Sequence, residues 1–111
     1  MKISILLPDL RSGGAERVSV DLARAFSWLH HQVEFVLLQA EGEFLSETKQ
    51  EFKVIDLRVN RLRFAALPVA RYLQCRRPDV LIANMWPLTS VAVLGRMLSI
   101  SKTRLLLIEH S

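Results

Sequence analysis

The chain has 111 residues, half of them apolar and 23% charged, with a formal net charge of +4. That length supports one domain with a real core and not two, and a single cysteine, Cys75, rules out an intramolecular disulfide and fits a reducing compartment. No apolar run is long enough for a transmembrane helix, and the moderate basic balance suits a protein that meets phosphates, anionic lipid or nucleic acid.

The opening "MKISILLP" is too short, and too soon followed by Asp9 and Arg11, to be a signal peptide. Ile3 to Leu7 is instead a nearly unbroken apolar run, the pattern of a strand covered on both faces. A corner with two glycines follows, Gly13 and Gly14. From Ala15 to Leu29 the apolar positions Val18, Leu22, Ala25, Phe26 and Leu29 recur at spacings of three and four, with Arg17, Asp21 and Arg24 on another face. This is an amphipathic helix. Val33 to Leu38 is a second strand, "AEGEFLSET" a loop with a short helix in it, and Val54 to Leu57 a third strand. Ala66 to Arg76 is a helix that tolerates Pro68 in its first turn. It stops before Pro78, and a fourth strand starts at Val80. Leu88 to Leu98 is a further helix and Arg104 to Ile108 a fifth strand. No internal repeat or low-complexity tract interrupts the series.

Strands alternating with helices predict an α/β fold: a Rossmann-like parallel sheet flanked by helices, a single domain over residues 1–111. Ligands of such sheets bind at the carboxyl ends of the strands. Three segments belong to that edge: residues 8–15, 84–88 and 109–111. The third is where the sequence stops, so the chain is expected to be part of a longer protein.

Gly13 and Gly14 lack a Cβ, which lets the backbone turn sharply and a ligand come close. The helix after them starts with unpaired N–H groups and a partial positive charge, an anion site suited to phosphate or diphosphate. Glu16, in the first turn, can cap a backbone N–H or reach a ligand hydroxyl. The alternative is a tight strand-to-helix turn that holds no ligand, and the G-x-G-x-x-G dinucleotide fingerprint is absent.

The longer stretch "MKISILLPDLRSGGAERVSVDLARAF" resembles the opening of glycosyltransferase family 4, whose members have the two-domain GT-B fold. The likeness continues through "LPVARYLQCRRPDVLIAN", similar to the helix leading into that family's fourth strand, and "RLLLIEHS", similar to its fifth strand and the loop after it. The resemblance implies the amino-terminal, acceptor-side half of an enzyme that moves a sugar from a nucleotide-sugar donor to an acceptor, with retention. The acceptor class is a glycan or a lipid-linked or cell-envelope molecule. It implies that most of the donor is held by a carboxy-terminal domain carrying two glutamates about eight residues apart. These residues alone would then be inactive. Carried over by motif, Gly13 and Gly14 contact the diphosphate or the acceptor, and His110 sits at the reaction centre, hydrogen-bonding the donor sugar or polarising the site. Otherwise His110 is a chain end without a role. Asn84 and Trp86 are acceptor-loop residues, with core packing the other reading of Trp86. The family typically uses no metal and no cofactor, so helix starts and basic side chains must stabilise the leaving diphosphate. The sequence departs from the family at His30-His31, where relatives often have Gly-His; a histidine must then end the helix in the left-handed region that glycine prefers.

From Arg58 to Arg77 there are six arginines and no acidic residue, interleaved with Leu62, Phe64, Leu67, Val69, Tyr72 and Leu73. Such a segment can lie on an anionic membrane surface, with Arg58, Arg61, Arg63 and Arg71 facing the bilayer and the protein placed at its cytoplasmic side. The alternative is a solvated helix face whose apolar side packs on the sheet. No stacking-aromatic motif or recognition helix accompanies it, which excludes a nucleic-acid partner. Apart from a transferase, the pattern admits a non-catalytic nucleotide- or phosphate-binding module, or a membrane-docking domain.

Overall fold

The computed structural model describes residues 1–8, 14–43, 45–61, 64–84, 92–93, 95–97 and 103–108. The first apolar run forms β1 (Lys2–Leu7), followed by α1 (Gly14–Trp28), β2 (Gln32–Leu37), α2 (Leu45–Glu51), β3 (Lys53–Asp56), α3 (Ala66–Arg76), β4 (Val80–Asn84) and β5 (Arg104–Ile108). Residues 92–93 and 95–97, inside the helix expected over 88–98, are helical. The short helix expected within "AEGEFLSET" starts at Leu45 and runs on to Glu51.

The five strands are all parallel, in the order β3-β2-β1-β4-β5. β1 is central, which explains its sequence. Alternate residues point to opposite faces, and each face is covered. Ile3, Ile5 and Leu7 pack with Val20 and Ala23 of α1 and with Phe35 and Ile82 of the neighbouring strands. Leu6 packs with Val69, Tyr72 and Leu73 of α3 and with Ala92. Leu45 and Phe52, at the two ends of α2, join the α1 side. The result is a three-layer sandwich with α1 and α2 on one face and α3 on the other, as right-handed crossovers require when the strand order runs outward both ways from β1.

The buried stripe of α1 is not the one its spacing suggested. Val18 is 52% and Leu29 62% exposed, and Ala25 is exposed too. Ser19, Val20 and Ala23 are buried, with Leu22 and Phe26 packed beside them. The helix carries apolar residues on more than one stripe, and the sheet selects among them. Leu29 lies past the last helical residue, where the chain already turns away. That turn is a Schellman motif: His31 N–H donates to Phe26 C=O (3.1 Å) and His30 N–H to Ser27 C=O (2.9 Å). His30 has φ 68°. The histidine does adopt the left-handed conformation, and the His31 ring meets Phe26 edge-on at 6.4 Å between centroids.

Candidate functional site

The two edges of the sheet differ. At the amino-terminal edge the strands are tied together. Lys2 N–H donates to the Asp79 carboxylate (2.8 Å), Lys2 Nζ to Arg76 C=O (2.7 Å) and the Thr103 hydroxyl to Pro78 C=O (2.7 Å). At the carboxyl edge the β1–β4 register ends at Leu6–Ala83, whereas β1–β2 continues to Leu7–Leu37. Beyond it Leu38 N–H still reaches Leu7 C=O (3.2 Å) and Gln39 N–H reaches Pro8 C=O (3.1 Å). On the far side of β2, Val59 N–H donates to Leu38 C=O (2.8 Å), and the Gln39 amide donates to Asn60 Oδ1 (2.8 Å). The β1–β2–β3 side of the rim is therefore built up by hydrogen bonds, and the sheet parts between β1 and β4. This is the topological switch point, where chain leaving β1 goes to one face and chain leaving β4 returns on the other, and ligands of open parallel sheets bind there.

Gly14 is the first residue of α1 and Glu16 lies in its first turn, directly after β1. Asn84 is the last residue of β4, in register with Ile108 at the end of β5. The fold thus carries Gly14 and Asn84 to neighbouring strand ends of one rim. The N–H groups of the first turn of α1 have no partner within the helix and carry its positive dipole end. A phosphate-sized anion is what such a corner can hold. Gly13, Arg63, Trp86 and His110 lie outside the described residues.

The arginine-rich segment divides in two. Arg58, Arg61 and Arg71 are exposed. Arg58 follows β3 with φ 55°, its N–H bonded to Asp56 Oδ1 at 2.8 Å. Of the interleaved apolar residues, Val69, Tyr72 and Leu73 are buried against the sheet, while Phe64 is 62% and Leu67 71% exposed. The segment is neither wholly a packed helix nor wholly an apolar surface. Arg76 is diverted inward: its Nη2 donates to Glu34 Oε2 (2.8 Å) and its Nε to Oε1 (3.3 Å).

Glu34 was not visible as a special residue in the sequence. It is buried on β2, accepts from the Tyr72 hydroxyl as well as from Arg76, and faces α3 beside Ser4, whose hydroxyl bonds the Tyr72 oxygen. Burial alone pushes the Glu34 carboxyl up, but the hydrogen bonds from Arg76 and Tyr72 and the charges of Arg76 and Lys2 outweigh it, leaving it below the usual range. Burial and the Glu34 contact push the Tyr72 phenol well above its ordinary value. Such a network pins α3 to the sheet and leaves its acid ionised and its phenol protonated. The available signal was a lone glutamate inside the apolar run that follows Gln32, "VEFVL". Among the described residues, no three His, Cys, Asp or Glu side chains come together as a metal site. No helix among them is long and apolar enough to cross a membrane.

No protein-family model matches the chain, and no solved structure does. Over its whole length the chain is 33% identical to a curated glycosyltransferase from Campylobacter jejuni. That relative is named as a GalNAc-alpha-(1->4)-GalNAc-alpha-(1->3)-diNAcBac-PP-undecaprenol alpha-1,4-N-acetyl-D-galactosaminyltransferase. The chain spans 33% of that relative's length. Two facts therefore stand together: a parallel α/β sheet whose first helix starts at Gly14 beside the switch point, and whole-chain similarity to a glycosyltransferase.

Proposed function

We propose that the chain is the acceptor-side domain of a GT-B glycosyltransferase of family 4, which transfers a sugar, with retention, from a nucleotide-sugar to a lipid-linked glycan acceptor. The observation that carries this reading is the similarity to the Campylobacter transferase along the whole chain, on a fold whose switch point lies between the glycine corner and Asn84. In this reading the amides at Gly13 and Gly14 meet diphosphate oxygens, and Glu16 takes a ligand hydroxyl. Asn84 and Trp86 border the acceptor, and His110 hydrogen-bonds the donor sugar. A second α/β domain supplies most of the donor contacts. No metal is required, because the helix start offers fixed donors where negative charge develops on the leaving diphosphate. Arg58, Arg61, Arg63 and Arg71 meet the anionic head groups of lipids at the cytoplasmic face of a membrane, that of the acceptor among them, each basic side chain contributing about 1 kcal/mol there.

The test is an amide-resolved NMR titration of the 111-residue chain with inorganic diphosphate and a panel of nucleotide-sugars, read beside a transfer assay. The expected result is selective shifts at Gly14 and its helical neighbours, affinities of roughly millimolar, and no transfer by these residues alone. Shifts confined to the amino-terminal edge of the sheet would place the site elsewhere. Turnover by this chain unaided would refute the division of labour between two domains.

A further inference from the structure

One apolar concavity among the described residues lies away from the switch point. It is a groove of about 410 Å³ between the edge strand β3 and α3, with Ile55 and Leu57 on one wall and Leu67, Pro68 and Cys75 on the other. A second groove, of about 380 Å³, shares Leu57 and Pro68 with it and continues to Arg58, Arg61 and Phe64. The two make one channel along α3. It starts at the carboxyl rim, where β3 has just ended, and runs toward the last turn of α3.

Two of the polar side chains in this channel are engaged elsewhere. The Tyr72 hydroxyl is committed to Glu34 and Ser4, so the residue offers the groove ring carbon. The Arg76 guanidinium is paired with Glu34, so it offers its alkyl stem. Asp56 accepts the Arg58 N–H. Between β3 and α3 the walls are mostly hydrocarbon, with the Asp56 carboxylate and Arg71 as the charged groups among them, and the exposed Leu67 and Phe64 extend the apolar surface at the lip. Cationic groups stand where the channel opens: Arg58 and Arg61 line the rim end and Arg71 the wall. Among the described residues no carboxylate pairs with the guanidinium of Arg61 or Arg71. An apolar trough with arginines at one end fits a hydrocarbon chain carrying an anionic head.

We propose that the β3–α3 channel seats the prenyl chain of a polyprenyl-diphosphate acceptor, with its diphosphate at Arg58 and Arg61. The assignment rests on the reading of the acceptor as lipid-linked. The head then lies on the same rim as the glycine corner, and the tail leads away from it. The arrangement selects acceptors by their lipid anchor, independently of the sugar being added.

Cys75 lines the channel, is exposed, and is the chain's one cysteine, so its rate of modification by a thiol reagent reports occupancy. Farnesyl diphosphate is the probe. Inorganic diphosphate and monomeric dihexanoyl phosphatidylglycerol are the controls for head alone and for acyl lipid. Farnesyl diphosphate is expected to slow labelling about tenfold at saturation, and neither control to do so. Leu67→Glu, at an exposed position that folding does not depend on, should weaken the protection about tenfold by placing a carboxylate at the lip. Prior alkylation of Cys75 should abolish binding of labelled farnesyl diphosphate in equilibrium dialysis. Undiminished labelling, or equal protection by inorganic diphosphate, overturns the assignment. Equal protection by phosphatidylglycerol overturns it in favour of a general lipid contact. No sugar enters the experiment, so a failure of transfer leaves its result standing, and a failure here leaves the glycine-corner titration to decide the transferase reading by itself.

Discussion

At the scale of single residues, the most informative side chain is Glu34. An ionised carboxylate in a sheet interior survives only when every lone pair is answered, and here Arg76 and Tyr72 answer them. Because the Glu34 carboxyl is lowered in the folded chain, its contribution is fully present above about 4.5, its ordinary value. The contribution is lost as pH falls through the lower folded value. Urea unfolding at a series of pH values should show stability declining on the acid side, and Glu34→Gln should flatten that decline. An unchanged acid limb in the variant would mean that other carboxylates govern it. His30 makes a second residue-scale case. A left-handed conformation costs a residue with a Cβ about 1–2 kcal/mol, and glycine returns part of that gain through its freer unfolded chain. His30→Gly should therefore raise stability by up to about 1 kcal/mol, seen as a higher urea midpoint at unchanged slope.

At the scale of elements, the packing of helix on helix depends on one missing side chain. A Cβ placed on Gly95 would stand 2.7 Å from Val69 Cγ1 and 3.3 Å from the Ala66 carbonyl oxygen. Val69 is buried and has nowhere to retreat. Overpacking of this kind costs about 1–3 kcal/mol, against a gain of about 1 kcal/mol in helix propensity, so Gly95→Ala should destabilise. Val69→Ala in the same chain should recover part of the loss, and a double-mutant cycle by chemical unfolding measures the coupling. If the two substitutions simply add, the helices do not touch there. α1 and α2 are joined differently: Arg24 grips Glu51 through Nε (3.1 Å) and Nη2 (2.8 Å). Both side chains are largely exposed, so the pair orients the elements more than it stabilises them. Neither contact was visible in the sequence, since each joins residues that only the sheet brings together.

At the scale of the whole molecule, the two edges of the sheet are built differently. Hydrogen bonds among Lys2, Asp79, Pro78 and Thr103 close the amino-terminal edge, and the Glu34 network holds α3 down beside it. The carboxyl edge is left to the loops. α1 starts there at Gly14, and the groove between β3 and α3 reaches the same rim. This is the economy of a parallel sheet: crossover connections bring every βα turn to one edge, so residues distant in sequence meet without any of them having to be near in the chain.

Much of this was legible beforehand. Nearly unbroken apolar runs such as "ISILL" identify strands buried on both faces, and Pro78 and the glycine corner punctuate the helices, because period and backbone restriction are local properties. The sequence by itself therefore determined the element order and the parallel sheet. It could not say which stripe of α1 would be buried, why Gly95 lacks a side chain, that Glu34 and Arg76 are partners, or that β3 and α3 leave a channel between them. Those were decided by the tertiary structure, because each depends on surfaces contributed by two or more elements whose distance apart is set only when the sheet closes its register.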